Sequence, residues 1–371
     1  MSFHQTYEFQ AIDRPLTAAE LAEVRRISSR ATVTPTRFAV SYDWGDLKAS
    51  PHDMLRRWYD VHLYRSSNGA SFALKVPAGL LDAATLDDFA CEEVLTGKSA
   101  SEHRILTWTL EDDDGGGWID DADVASEFDD LIGIRAALLR GDLRPLYVGW
   151  LAGVDQLDDD DLEPPVPPGL CAADDPSSAL ARFLGVDADL LAAAAEASPA
   201  VNKRREAERA RAWVESLPTN EKDAAIASWL GYGGPEAQVA LQQRHGLWLR
   251  ASAQGGKAAE RRTVGALRDR AEALCESRQK AEAERTARAR IAHLEAVATR
   301  SGAMWTDLAR LRENHSQSAR RQVIALLEDL RDAAQHAGTG SAFDAKLAAF
   351  VAEIGPKRAL YQELKAKKFI R

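Results

Sequence analysis

Apolar positions along the first 150 residues switch repeatedly between a period of two and a period near 3.6. Residues 7–12 (YEFQAI) alternate and are rich in strand formers, which predicts a strand. Thr17 with Glu20 three residues on is a capping box, and Leu21, Val24 and Ile27 continue at helical spacing. Residues 36–42 (TRFAVSY) predict a second strand, closed by Asp43-Trp44-Gly45-Asp46. Ser50-Pro51 opens a helix whose apolar face is Met54, Leu55, Trp58, Val61, His62 and Tyr64. Residues 71–76 and 103–110 predict two more strands, with a helix capped by Asp82 and running to about Val94 between them. Strands alternating with helices at short connections predict a small sheet covered by helices, an α+β domain that is ferredoxin-like at the coarsest level. Residues 121–153 read as helical, interrupted at Gly141 and Pro145.

The character of the chain then changes. Residues 155–176 hold an acidic run, four prolines within five residues and a second acidic pair, which predicts an extended linker. Between Pro235 and Pro356 there is no proline, and Ala, Glu, Arg and Leu dominate, the composition of long helices. Val264, Leu267, Ala271 and Leu274 follow a 3-4-3 spacing. The seam decays at Arg278, Arg285 and Arg288, resumes at Ile291, Leu294 and Ala298, and repeats at Val323, Leu327, Leu330 and Ala334. The expectation is a long helix over about 257–299, a break at Ser301-Gly302, and a return through about 306–336 as an antiparallel helical hairpin. Its arginine-rich middle should be poorly packed or covered by something else. A helix to Ile354, a stop at Gly355-Pro356 and a basic terminal helix complete the chain. The organisation expected is an acidic α+β domain over 1–154, a linker over 155–177 and a basic, mainly helical domain over 178–371.

Charge sharpens this division. Residues 1–200 contain 16 Lys+Arg and 36 Asp+Glu, and residues 201–371 contain 31 and 21, so a net charge of -10 hides halves of -20 and +10. The basic half is open to three readings: a solvated helical surface, a surface for nucleic acid or an acidic protein, or a unit docked on the acidic half. Candidate phosphate or partner contacts are Lys203, Arg204, Arg205, Arg261, Arg262, Arg285, Arg288, Arg290, Arg320 and Arg321. The 45% hydrophobic and 28% charged content of the 371 residues excludes global disorder. Three cysteines far apart argue for a reducing compartment. No apolar run approaches a membrane span of roughly 20 residues, and the opening residues lack the pattern of a secretory signal, so a cytoplasmic protein is expected.

The chemistry tested is mostly excluded. Gly97-Lys98-Ser99 is the tail of a phosphate-binding loop, but Glu92 stands where that motif needs its first glycine. The aspartates at 112–114, 120, 121 and 123 do not match calcium-loop spacing. No close Cys or His pairs suit zinc, so neither a metal nor a cofactor is expected. Cys91 near His62 or His103 would be a nucleophile, but a small thiol on an amphipathic helix is by default a core residue. Trp44 between Asp43 and Asp46 reads either as the aromatic anchor of a partner-recognition surface or as a Trp sealing the core edge while the aspartates satisfy turn amides.

Tyr7-Glu8-Phe9-Gln10-Ala11-Ile12-Asp13-Arg14-Pro15-Leu16-Thr17, then Thr34-Pro35-Thr36, then Tyr42-Asp43-Trp44-Gly45-Asp46 resemble the N-terminal phrase of a bacterial protein family to which no activity is attached. The resemblance covers about the first 80 residues. Members of that family are encoded near SWIM-type zinc-finger proteins. The resemblance therefore implies one component of a multi-component bacterial system, of a defence kind, with another protein of that system as partner. The SWIM cysteines are absent from this chain, so it would be the partner of the finger. These readings together favour a non-catalytic interaction subunit, with self-association through the hairpin as one form of assembly. The alternatives are nucleic-acid binding by the basic half, and an enzyme with a pocket lined by Asp43, Asp46, His52 or His62.

Overall fold

The structure is a computed structural model. It describes residues 4–91, 93–100, 102–111, 120–171, 177–201, 203–227, 230, 240–242, 244–249, 261–314, 316–354 and 358–370, without the side chains of residues 100, 203, 205 and 206. Two compact units divide the chain, Met1–Cys275 and Glu276–Arg371.

The first unit is built on seven antiparallel strands: β1 (Gln5–Gln10), β2 (Thr32–Val33), β3 (Arg37–Tyr42), β4 (Val61–Ser66), β5 (Gly69–Pro77), β6 (Leu95–Ala100) and β7 (His103–Glu111). Their spatial order is β2-β3-β1-β4-β5-β7-β6. The α+β class is as expected. The sheet is larger than the four-stranded, ferredoxin-like one that the alternation predicted. Helix α1 (Ala18–Val24) carries the predicted capping box, and α2 (Pro51–Arg57) starts at Pro51. The helix expected to run on through Tyr64 stops at Arg57, and Val61–Ser66 is β4. Branched and aromatic side chains at Val61, Leu63 and Tyr64 favour a pleated surface. Asn68-Gly69, with Gly69 at φ +148°, supplies the tight turn into β5.

Alternation along the strands makes two buried faces. Tyr7, Phe9, Phe38, Val40 and Tyr42 pack with Leu16 and Val24 of the α1 region and with Met54 and Leu55 of α2. Leu63, Phe72, Leu74, Leu106 and Trp108 point the other way. They meet α3 (Ala83–Phe89), α4 (Asp121–Leu131), α5 (Gly133–Leu139), α6 (Arg144–Ala152), α7 (Ser177–Phe183) and α8 (Ala188–Glu196). Full burial of side chains such as Phe72 and Leu74 stabilises by about 1.5–3 kcal/mol each. Pro145 does not interrupt a helix; it occupies the first turn of α6, where its missing N–H costs nothing. The close approach of α6 to the sheet requires Gly149: a Cβ there would lie 2.6 Å from Trp108 Nε1, which donates to Pro145 O at 3.1 Å.

The stretch read as an extended linker is docked instead. Leu170, with Leu157 and Val166 partly buried, packs in the same apolar cluster as the sheet, and 155–177 lies inside the unit Met1–Cys275. Residues 172–176 of that stretch fall outside the described residues. Helices α9 (Lys203–Ser216) and α10 (Thr219–Ala227) precede a stretch of which 240–242 and 244–249 are described and helical, and α11 (Val264–Arg312) is a single helix of 49 residues. The acidic run meets its first turn: Val264 N donates to Asp161 O at 2.9 Å and Gly265 N to Asp159 O at 3.0 Å. Carboxylates beside these orphan amides also complement the positive end of the helix dipole. Repulsion among the aspartates, taken from sequence as a reason for extension, is thus offset by helix-end amides and by Arg268, 2.5 Å from Asp159.

The unit boundary falls within α11. The predicted break at Ser301-Gly302 does not occur, because a helical glycine costs only about 1 kcal/mol and Leu294, Val297 and Leu308 are buried on either side of it. The chain turns after Arg312 into α12 (Gln317–His336), followed by α13 (Gly340–Ala352) and α14 (Ala359–Ala366). Pairs Arg290–Asp332 at 2.5 Å and His293–Asp329 at 3.2 Å register α11 and α12 as antiparallel. Val323, Leu327 and Leu330 are buried as the heptads predicted. On α11 the seam runs through Leu294 and Val297, while Ile291 is 44% exposed. Phe343, Leu347, Phe350, Leu360 and Leu364 of α13 and α14 complete this core.

Candidate functional site

The phrase that carries the family resemblance folds into one joint. Ala11 N donates to Thr36 O at 2.8 Å and Leu16 N to Pro35 O at 2.7 Å, so the Thr34-Pro35-Thr36 segment holds the chain leaving β1. Asp60, buried, accepts from the amides of Ile12 at 2.7 Å and Asp13 at 2.9 Å, and Lys75 Nζ lies 3.3 Å from it. The Arg135 guanidinium donates to both oxygens of Asp13, at 2.6 and 2.7 Å, and is only 2% exposed. Burial alone would push the Asp60 carboxyl up. The charges of Arg135 and Lys75 and the two amides outweigh burial and hold it below its ordinary range. Arg14 pairs with Glu20 at 2.7 Å, adding to the capping box. This part of the phrase is therefore architecture.

The remainder of the phrase is displayed. Trp44, in the loop from β3 to α2, is 71% exposed, so it does not seal the core edge. Its neighbours are tied down on both sides. Gln5 Nε2 donates to Gly45 O at 2.5 Å, and Tyr64 OH to Gln5 Oε1 at 3.1 Å. Tyr7 OH donates to Asp46 at 2.5 Å, and Asp46 also accepts from Leu47 N at 2.6 Å, the turn-amide role read from sequence. Burial and the Asp46 charge push the Tyr7 phenol up, so it stays a neutral donor. Gly45, at φ +101°, makes the turn that leaves the indole outside.

Asp43 lies 2.9 Å from His4 Nδ1, whose Nε2 is 3.2 Å from Asp121 at the start of α4. Thr6 and Ser41, paired across β1 and β3, donate to the same Asp121 oxygen at 2.9 and 2.6 Å. Burial opposes a charge on His4, but the hydrogen bonds and charges of Asp43 and Asp121 prevail and raise its pKa. The loop is thus held by hydrogen bonds on both sides of an exposed indole whose sequence neighbours include Asp43 and Asp46. Sequence reading assigned His4, Gln5, Tyr7 and Asp121 no part in this loop; alternation in β1 places Gln5 and Tyr7 on one face and Thr6 on the other, but their grip on the loop and the approach of Asp121 come from long-range packing.

Most of the predicted basic contacts among the described side chains are paired with carboxylates. Arg261 donates to Glu163 O at 2.6 Å and lies 3.5 Å from Asp88. Arg262 is bonded to the buried Glu163, which also accepts from Tyr147 OH. Arg268 and Arg270 pair with Asp159 and Glu196. Basic residues of 261–270 therefore pair with acidic residues of the first 200 positions, all within the first unit. Arg204 pairs with Glu208, Arg288 with Glu284, Arg290 with Asp332 and Arg320 with Glu363. The side chains of Lys203 and Arg205 lie outside the described residues. Arg285 and Arg321 are exposed. Residues 276–293 of α11 are exposed on every side, as the decayed seam predicted. Glu276, Lys280, Glu284 and Arg288 follow one another at spacing four, the pattern that supports a solvated helix.

Gly97-Lys98-Ser99 belongs to β6 and pairs with β7, so it is not a phosphate loop. Cys91 Sγ faces Gln156 Oε1 at 3.3 Å, whereas His62 is stacked on Phe9 in the opposite core and bonded to Glu8 O at 3.0 Å. Among the described residues no group of three or more His, Cys, Asp or Glu side chains is placed to hold a metal. Within the same residues no helix is long and apolar enough to cross a membrane. Comparison of the chain with protein-family models, with curated proteins and with solved structures returns no match.

Proposed function

We propose that this chain is a non-catalytic, cytoplasmic interaction subunit of a multi-component bacterial system, of the defence kind that the family phrase implies. It engages a protein partner through the Trp44 loop. The single observation that carries this reading is the exposure of Trp44 on a loop held from both flanks. A rigid aromatic side chain gives up little conformational entropy on binding, and such residues dominate interface energetics. Asp43, Asp46 and Asp121 around it favour a partner surface bearing lysine or arginine, which can also stack on the indole.

The test is affinity purification of the full chain from its native host, comparing wild type with Trp44→Ala. The reading expects a stoichiometric protein partner with wild type and at least a tenfold loss with the variant, because anchor truncations cost about 2 kcal/mol or more. A partner retained equally by both would refute the role of the loop. Turnover of a substrate that vanishes on one point change elsewhere would refute the non-catalytic reading.

A further inference from the structure

Prolines at 164, 165, 167 and 168 set one face of the chain against the fold and another outside it. Their φ is fixed at about −65°, and each residue that precedes a proline is held extended. Leu162 is extended as well, through its bridge to Thr263. These restraints make a polyproline II helix, with roughly three residues per turn. Burial follows that period: Pro164, Pro167 and Leu170 are buried, whereas Leu162, Pro165 and Pro168 are exposed. We propose that Leu162, Pro165 and Pro168 form a ridge that seats in a Trp- or Tyr-lined groove of a partner protein. The ridge is separate from the Trp44 loop, and the proposal stands without that reading.

The ridge is held from beneath at both ends. Glu163 N donates to Arg262 O at 3.0 Å, and Arg261 Nε donates to Glu163 O at 2.6 Å. Ser198 Oγ donates to Pro167 O at 2.7 Å and accepts from Leu170 N at 3.0 Å. Gly169 N donates to Pro199 O at 2.9 Å. Val166, partly buried, packs on the apolar cluster of the sheet. Four prolines leave the backbone few states to lose, and these ties remove more of them. A partner therefore meets a segment already in its bound shape, which lowers the entropic cost of association.

What is displayed fits one kind of partner. A single exposed leucine or proline is ordinary on a protein surface. Three apolar residues at one-turn spacing on a fixed helix make a continuous ridge, about 19 Å long at about 3.1 Å per residue. Segments of this conformation are recognised by aromatic-lined grooves that accept apolar residues at such spacing. The indole N–H and the phenol O–H of such a groove also supply donors to a helix that has no internal hydrogen bonds. Asp160 and Asp161 are exposed and precede the ridge, so a groove with lysine or arginine at the Leu162 end is favoured. Arg261, beside Leu162, is turned onto Glu163 O and Asp88. A second copy of this chain is a poorer fit: Asp43 and Asp46 beside its Trp44 would meet Asp160 and Asp161 with like charge.

The test is photocrosslinking of the full chain in its native host, with Leu162→p-benzoylphenylalanine on the ridge. One discrete adduct to a different protein is expected. Decaproline at millimolar concentration should suppress it, because it presents the same helix, and a flexible glycine-serine decapeptide should not. The partner so identified is then purified and titrated with the full chain by calorimetry. Pro165→Glu and Pro168→Glu should each weaken binding at least about tenfold, as truncation of anchor residues does. Asp155→Ala, an exposed change outside the ridge, should not. Displacement of the wild-type chain by decaproline needs no substitution, so the test survives a variant that fails to fold. No adduct at 162, an adduct to a second copy of this chain, indifference to decaproline, or wild-type affinity in both proline variants would each overturn the proposal.

Discussion

Replacing Arg135 with methionine removes a guanidinium from the joint between β1 and α1 while keeping the length of the side chain. Two carboxylates lose one partner each: Asp13, bonded twice at 2.6 and 2.7 Å, and Asp60, 3.8 Å away. The Lys75 carbonyl loses the Nε donor at 2.7 Å. Breaking a buried ion pair from one side costs about 3–5 kcal/mol. Asp13 is 24% exposed at its side chain and recovers some hydration, and Asp60 keeps Lys75 at 3.3 Å, so the lower end applies, about 3 kcal/mol. The sign with pH follows from Asp60. Its folded pKa is held below the unfolded value of about 3.9, so its contribution is present above that value and is lost as pH falls through the folded pKa. In Arg135→Met burial is less opposed and the Asp60 pKa rises, so the variant loses less on acidification and the gap to wild type narrows below pH 4. Urea unfolding read by hydrogen exchange of β1 and β5 peptides measures both quantities. A variant within about 1 kcal/mol of wild type at pH 7, or a gap that widens toward pH 3, would refute this account of the joint.

Further outcomes follow from the same contacts. Glu163→Ala strips the acceptor from Arg262 and Tyr147, and a loss of about 3–5 kcal/mol is expected, with faster exchange across 158–163 and the first turn of α11; unchanged exchange there would mean that the acidic run does not cap the helix. His62, fully buried with a pKa pushed down to about 4 by desolvation, stays neutral in the fold while the unfolded chain protonates near 6.5. Stability should therefore fall by about 3 kcal/mol as pH drops from 6.5 to 4, and His62→Phe should flatten that slope in acid denaturation. Gly149→Ala forces a methyl against Trp108 and should destabilise by about 1–3 kcal/mol with a shift in tryptophan emission; a neutral effect would place α6 further from the sheet.

Local signals in the sequence located much of this fold. The capping box at Thr17, the cap at Asp82 and the alternation in β1, β3, β5 and β7 are short-range patterns, and each formed where the pattern said. What it obscured depended on long-range partners. Val61–Ser66 suits helix spacing after α2 and strand spacing before Asn68-Gly69, and only pairing with β1 and β5 decides between them. The acidic run at 158–161 looks self-repelling in isolation; its amide and arginine partners lie about a hundred positions on. Charge followed the same logic. With the boundary at Cys275, the first unit holds 29 basic and 45 acidic residues and the second 18 and 12, so the asymmetry persists at -16 and +6. Trp44 stood out by its neighbours, yet its exposure depends on Gln5 and Tyr7 gripping the loop from β1, which no local pattern states.

Site-specific photocrosslinking at position 44 addresses the central claim most directly. Trp44→p-benzoylphenylalanine keeps an aromatic ring at the tip of the loop and reports whatever lies against it in the cell. The account predicts one discrete protein adduct on irradiation, absent when the crosslinker replaces exposed Arg300 and weakened when Asp43 and Asp46 are changed to Asn. Adducts of the same pattern at positions 44 and 300, or no adduct at 44 in cells that carry the whole system, would contradict it.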